Sequence, residues 1–237
     1  MVFSRRYFFI SVLICISTFS FSQSESSLIR NIKQPYNIKD YFLLLPDSVL
    51  KVYDTEINLH QRLLSLKYNT LEDLWNNDGY WILDTLDYKN GYLKLSSTGD
   101  GAGTIFEITY FIKKNKTREI AVNKIYWDLG MSFSVLNFYE FKNLIWRNIT
   151  KEVLPPVKLS DFTISKYAEL IKSQIDYFPV VYKLPQKGKN IKAEIDPATI
   201  DNLFDEKKID ENEYVKIKES LHKLVLLWKD GIFIIQK

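Results

Sequence analysis

Between positions 79 and 149 apolar and polar residues alternate in short runs, and each run ends at a turn signal. Residues 80–87 (YWILDTLD) are rich in aromatic and β-branched side chains and predict a strand. Asn90-Gly91, two residues that tolerate positive φ between apolar runs, predict a tight hairpin to a partner strand at 92–97. A glycine-rich turn at 99–103 follows. In 104–112, Phe106, Ile108, Tyr110 and Ile112 point one way while Glu107 and Thr109 point the other. This period-two pattern is that of a strand with one buried face. Residues 113–116 (Lys-Lys-Asn-Lys) read as a solvated turn, 118–127 as the fourth strand, 128–130 as its turn and 131–141 as the fifth. There the apolar positions change parity around Val135, implying a β-bulge or burial on both faces. Residues 144–149 are a candidate sixth strand. The whole stretch reads as an antiparallel β-meander.

Helical spacing governs the flanks. Asn37 followed by Asp40 is a capping pattern, with Ile38, Phe42 and Leu45 on one face and Pro46 ending the helix. Asp54 is a cap for a second helix over 55–67, with Leu59, Leu63 and Leu66 as its buried stripe. Beyond Pro155-Pro156, Ile164, Ile171 and Ile175 recur at helical spacing. Residues 178–184 and 190–195 then read as a hairpin. Asp196-Pro197 opens a helix over 198–204, another covers 211–221, and a hairpin across Asp230-Gly231 closes the chain. Helices and strands in this order predict an α+β fold, an antiparallel meander packed against helices. The division is 37–154 for the first helices and the meander, and 155–237 for a smaller α+β subdomain with two hairpins.

The N-terminus changes the picture of where the protein works. Arg5 and Arg6 precede an apolar run over 7–19, and Ser20-Phe21-Ser22 sets small residues as a signal peptidase site requires. Residues 1–22 therefore read as a signal peptide and 23–36 as a flexible segment. An uncleaved anchor, a twin-arginine signal and a lipoprotein at Cys15 are the alternatives. Against the last, bulky Ile14 precedes Cys15 inside the apolar run. Two of the 32 basic residues and none of the 29 acidic ones lie in 1–22, leaving 30 against 29. That balance is no footprint for nucleic acid. Cys15 is the one cysteine, so a cleaved chain has no disulfide and rests on core burial. The expected location is the periplasm or the outer membrane, with the signal peptide the one membrane segment.

Three stretches carry a likeness. Residues 40–48 (DYFLLLPDS), 182–191 (YKLPQKGKNI) and 227–233 (LWKDGIF) together resemble a family of small exported proteins of unassigned function from Gram-negative gut-type bacteria. The resemblance implies an exported α+β protein and brings no catalytic residues.

Candidate chemistry is thin. Gly99, Gly101 and Gly103 have the spacing of a phosphate loop, but a strand follows where a helix N-terminus is needed. His60 and His222 lack a nucleophile motif around them. The carboxylate pairs to inspect are Asp84 with Asp87 and Glu107 with Glu119. No catalytic residue, metal or cofactor is assigned. The aromatic residues of the meander offer the best binding signal, with Trp127, Tyr80, Trp81 and Tyr139 as the platform for a glycan or an envelope protein. A carboxylate-dependent glycan hydrolase and a carrier of an apolar ligand are the other two readings.

Overall fold

The computed structural model describes residue 32 and residues 35–52, 55–98, 102–128, 131–175 and 179–236. Residues 1–22, expected to be a signal peptide, most of the polar segment after them and the 99–101 part of the glycine turn lie outside these residues. The described chain is α+β with antiparallel sheets. A short ribbon, β1 (Lys51–Val52) and β2 (Thr55–Glu56), precedes the main sheet. That sheet runs in sequence order: β3 (Ile82–Asp87), β4 (Tyr92–Thr98), β5 (Ala102–Ile112), β6 (Arg118–Asp128), β7 (Met131–Lys142) and β8 (Ile145–Asn148). A second sheet, in order β12-β11-β10-β9, holds β9 (Val180–Lys183), β10 (Ile191–Ile195), β11 (Leu224–Trp228) and β12 (Phe233–Ile235). The helices are α1 (Ile38–Leu44), α2 (Leu59–Lys67), α3 (Leu71–Trp75), α4 (Thr150–Val153), α5 (Ser165–Gln174), α6 (Pro197–Asp205) and α7 (Glu211–Ser220).

The meander is covered on both sides. Leu93, Phe106, Ile108 and Val122 bury one face against Ile38 and Phe42 of α1 and against Leu50 and Ile57. Phe111, Ala121, Leu136 and Phe138 bury the other against Leu184, Ile191, Leu226 and Phe233 around the second sheet. That sheet continues past the meander, where Ala193, Ile195 and Leu224 pack on Ala168, Ile171, Ile200 and Ile217 of the helices.

Double coverage corrects the expectation of a solvated face. Glu107, Thr109, Glu119, Asn123 and Ser134 are all buried. Glu107, Asn123 and Ser134 hold the neighbouring chain around β9 instead, while Thr109 donates to the Gly91 carbonyl at 3.0 Å and Glu119 pairs with Lys113. Ser134 Oγ accepts from the Tyr182 N–H at 2.9 Å, and Asn123 Nδ2 donates to the Tyr182 carbonyl at 2.8 Å. Glu107 Oε2 accepts from the Leu184 N–H at 3.1 Å and from Asn123 Nδ2 at 2.8 Å, while its Oε1 accepts from the Tyr92 hydroxyl at 2.8 Å. A buried carboxylate with three donors has its lost hydration replaced. Burial and the nearby carboxylate push the Tyr92 phenol well above its ordinary range.

Several local expectations shift. The Asn90-Gly91 turn is a four-residue connection, since Asp87 pairs with Tyr92 and, of its residues, Gly91 has the positive φ, at 67°. Asp87 accepts from Asn90, both backbone (3.0 Å) and side chain (2.7 Å), in place of a second left-handed residue. The bulge lies in β3 between Leu83 and Thr85, whereas β6 and β7 pair without interruption. Val135 marks no bulge; the parity change in β7 reflects burial on both faces. Helix α2 starts four residues later than expected, after the Asn58 cap, and its buried residues are Gln61, Arg62, Leu64 and Ser65. Arg62 turns inward because it donates to the carbonyls of Phe42, Leu43 and Leu45 at the end of α1, and it pairs with Asp47. Those carbonyls have no helical partner, so the guanidinium supplies their donors.

Candidate functional site

The four aromatic residues singled out above do not assemble. Trp81 is only 3% exposed, edge-on to Phe106 with ring centroids 5.2 Å apart, and so belongs to the core. Tyr139 lies half-buried beside Trp146 on the α1 face. Trp127 is half-buried on the opposite face, with its ring over Gly103 of the adjacent strand. A Cβ at Gly103 would meet that ring at 2.0 Å, so glycine is required there. Tyr80 is exposed at the start of β3. Coverage of both faces leaves no shared strip for them.

The carboxylate pairs do not converge either. Glu107 lies across from Asn123, and Glu119 is four residues further along β6. At about 3.3 Å per residue and about 4.8 Å between strands, their backbones are roughly 14 Å apart. Glycosidase carboxyls stand roughly 5–9.5 Å apart. Asp84 is bound to Lys94 and Ser96, and Asp87 to Asn90 and Gln186. The Asn90 bonds lead in holding the Asp87 carboxyl down at about 2. His222 is exposed, with Nδ1 3.4 Å from the Ser220 carbonyl, and His60 is half-buried on α2. Among the described residues no cluster of three His, Cys, Asp or Glu could hold a metal, and no helix is long and apolar enough to cross a membrane.

What the fold does assemble lies at one end of the meander, where the β5–β6 and β7–β8 turns meet the chain before α1. Asn37 and Asp40 cap α1 reciprocally, and Asp40 also accepts from the Tyr36 N–H at 2.9 Å. Arg118 opens β6, donates to the Tyr36 carbonyl at 3.0 Å, and lies over the Tyr110 ring at 4.6 Å. This fixes Tyr36, which is 77% exposed, at the rim of a cleft of about 770 Å³. Tyr41 and Phe141 contribute aromatic surface to it; Lys113, Lys116, Arg118 and Lys142 contribute positive charge, and Glu140 the one carboxylate. A second hollow of about 660 Å³ shares Lys113 and adds Lys114, Lys189, Trp228 and Lys229.

The charges differ in how they are used. Lys113 is bound to buried Glu119 at 2.8 Å, so the 113–116 turn is not simply solvated. Arg118 is committed to backbone carbonyls. Lys116, Lys142, Lys189 and Lys229 have no carboxylate partner among the described residues. The β7–β8 turn carries Asn143 and Leu144 at φ 51° and 63°, so both are left-handed. That is the arrangement of a two-residue hairpin turn of the primed type, which ordinarily takes glycine. Leu144 and Ile145 are more than two-thirds exposed beside the cleft. A strained, exposed leucine next to a cationic cleft is the kind of outlier that marks a functional edge. No motif signals this site, because its lysines come from turns far apart in sequence.

No protein-family model matches the chain, and no curated protein matches it. Among solved structures it is similar to a domain of an uncharacterized protein from Porphyromonas gingivalis W83, at TM-score 0.56 and 15% identity, covering 85% of this chain and 99% of that one. The likeness is one of fold.

Proposed function

We propose that this is an exported envelope protein that acts by binding, and that it takes an acidic glycan in the cleft between the β5–β6 and β7–β8 turns. The observation that carries the reading is the union, in one cleft, of the exposed Tyr36 ring and the aromatic lining of Tyr41 and Phe141 with Lys116 and Lys142, which have no carboxylate partner among the described residues. Aromatic rings stack on the apolar faces of sugars, and ammonium groups meet uronate or sulfate groups. A formal charge of only +3 over the whole chain makes this concentration at one end informative. Export rests on the sequence of residues 1–22, and its test is the intact mass of the secreted protein, expected to begin at Gln23.

The test is retention of the purified protein on immobilised polyuronate, sulfated dextran and neutral dextran, with phosphatidylglycerol vesicles as a separate arm. The expected result is retention on the acidic polymers, weakened by salt and lost in Lys116→Glu/Lys142→Glu. Equal retention on neutral dextran, or none on any acidic polymer, overturns it. Retention on the vesicles alone would assign the exposed Leu144-Ile145 edge to a lipid surface instead.

A further inference from the structure

Trp228, at the end of β11, is half-buried and lines the hollow of about 660 Å³ beside the β11–β12 turn. Its ring is held by Phe111 and Phe233, with centroids 5.1 Å away in both cases. Lys114, Lys189 and Lys229 are exposed around the same hollow. Among the described residues that line it, Asp230 supplies the carboxylate. One oxygen accepts from the Lys114 N–H at 2.7 Å and the other lies 3.9 Å from Lys114 Nζ, which leaves Lys189 and Lys229 unneutralised. The hollow therefore repeats the composition of the cleft, aromatic surface beside free lysines. The two lie on opposite faces of the meander: Tyr41 and Phe141 belong to the core on the α1 side, Trp228 to the core on the side of the second sheet. The β5–β6 turn stands between them. Lys113 lines both spaces, Lys114 the hollow, and Asn115, Lys116 and Thr117 the cleft. This turn is fixed. The Lys113 N–H donates to the Thr117 carbonyl at 3.0 Å, the Lys116 N–H to the Lys113 carbonyl at 2.9 Å, and Lys113 Nζ pairs with buried Glu119. Asp230 ties it to the β11–β12 turn, where Gly231, at φ 109°, lets the backbone approach Lys113; a Cβ there would lie 3.0 Å from Lys113 Cδ.

We infer that the cleft and the hollow are two subsites of one track, and that the ligand is an internal stretch of an acidic polysaccharide laid over the β5–β6 turn. The inference rests on the reading of the cleft as an acidic-glycan site and adds that the ligand is a polymer long enough to occupy both faces. Three observations converge. Charge selects the occupant, because Lys116 and Lys142 on one side and Lys189 and Lys229 on the other all lack a carboxylate partner among the described residues and are all exposed. Each subsite also offers an aromatic ring to the apolar face of a sugar, Tyr36 in the cleft and Trp228 in the hollow. The wall between them is a single turn held by its own hydrogen bonds, so no ordering of the backbone opposes binding. One sheet with its side chains is about 10 Å thick, so a chain that crosses from one subsite to the other spans at least about that distance. A single sugar cannot do this. A polymer held in one subsite presents its next residues to the second at high effective concentration.

The experiment is titration calorimetry of the mature protein with a galacturonate disaccharide and octasaccharide in about 0.15 M salt, where charges are screened beyond about 8 Å. The octasaccharide should bind roughly tenfold or more tighter than the disaccharide, which reaches one subsite at a time. Lys189→Glu/Lys229→Glu should weaken the octasaccharide by roughly tenfold and leave binding of the disaccharide in the cleft as it is. Lys189→Arg/Lys229→Arg, which keeps the charge, should bind both oligomers as the parent does. Both variants should keep the parent's circular-dichroism melt, since the two side chains are exposed. A polyphosphate of matched charge has no ring faces for Tyr36 and Trp228 and should bind more weakly than the octasaccharide. Disaccharide binding together with an octasaccharide affinity that Lys189→Glu/Lys229→Glu retains overturns this inference and leaves the reading of the cleft standing. Binding of neither oligomer overturns both. A polyphosphate that matches the octasaccharide overturns the assignment to a glycan.

Discussion

Glu107 joins the two sheets, and its replacement tests whether they are held by specific polar bonds or by apolar contact alone. Its carboxylate takes three donors: the Tyr92 hydroxyl, Asn123 Nδ2 and the backbone N–H of Leu184. Glu107→Ala leaves all three buried without an acceptor. At about 1–3 kcal/mol for each abandoned donor, the loss is roughly 3–9 kcal/mol, and water entering the space moves it toward the lower end. A domain of this kind has about 5–15 kcal/mol in total, so the variant should be barely folded at room temperature. Glu107→Gln retains an acceptor for Asn123 and Leu184, and the Tyr92 hydroxyl rotates to accept from the amide. Only the charge reinforcement goes, at about 1–3 kcal/mol. Guanidinium chloride unfolding at pH 7, followed by tryptophan fluorescence, reads both. An alanine variant within about 1 kcal/mol of the parent, or one no worse than glutamine, refutes the reasoning.

Gly91→Val places a β-branched residue at φ 67° and its Cβ 2.2 Å from the Tyr110 ring; a loss above the roughly 1–3 kcal/mol of backbone strain alone is expected in denaturant midpoints, and an unchanged midpoint contradicts it. Leu144→Gly should stabilise the fold by about 1 kcal/mol, because it relieves a left-handed leucine whose side chain is largely exposed; a lower melting temperature would show that Leu144 is not strained. Burial, opposed by Lys113, raises the Glu119 carboxyl above its ordinary value. A carboxyl raised on folding stabilises fully below its unfolded pKa of about 4.3, and that contribution is lost as pH rises through the folded value. Glu119→Gln should therefore gain stability relative to the parent as pH rises from about 4, and a difference that is flat or of opposite sign refutes the burial argument.

The meander was legible in the sequence because strand alternation and turn residues are local signals, and the same holds for the Asn37 and Asp196 caps and the Asp230-Gly231 hairpin. What covers each face is not local. Glu107, Asn123 and Ser134 carry the polar pattern of a solvated face, yet they meet a second sheet whose backbone they bind. Arg62 in place of leucines on the inner side of α2 hides the same way, since three of its partners are carbonyls, which leave no sequence pattern. Trp81 and Tyr139 read as a platform for want of knowing that both faces are covered. The cationic cleft depends on Lys113, Lys116 and Lys142 meeting across two turns. The two-residue turn at Asn143-Leu144 lacks the glycine that would have announced it.

The central claim is that the turn end of the meander captures an acidic glycan. Isothermal titration of the mature protein with a uronate oligosaccharide tests it most directly, run against the neutral sugar of the same length and repeated with Lys116→Glu/Lys142→Glu and Tyr36→Ala. The expected result is saturable binding of the uronate alone. It should weaken as salt shortens the Debye length from about 10 Å at 0.1 M toward about 3 Å at 1 M. The double charge reversal should weaken it roughly tenfold or more, and loss of the Tyr36 ring should weaken it by a smaller factor. Binding of the uronate that survives the charge reversal in a folded protein, or that the neutral sugar matches, would contradict the account.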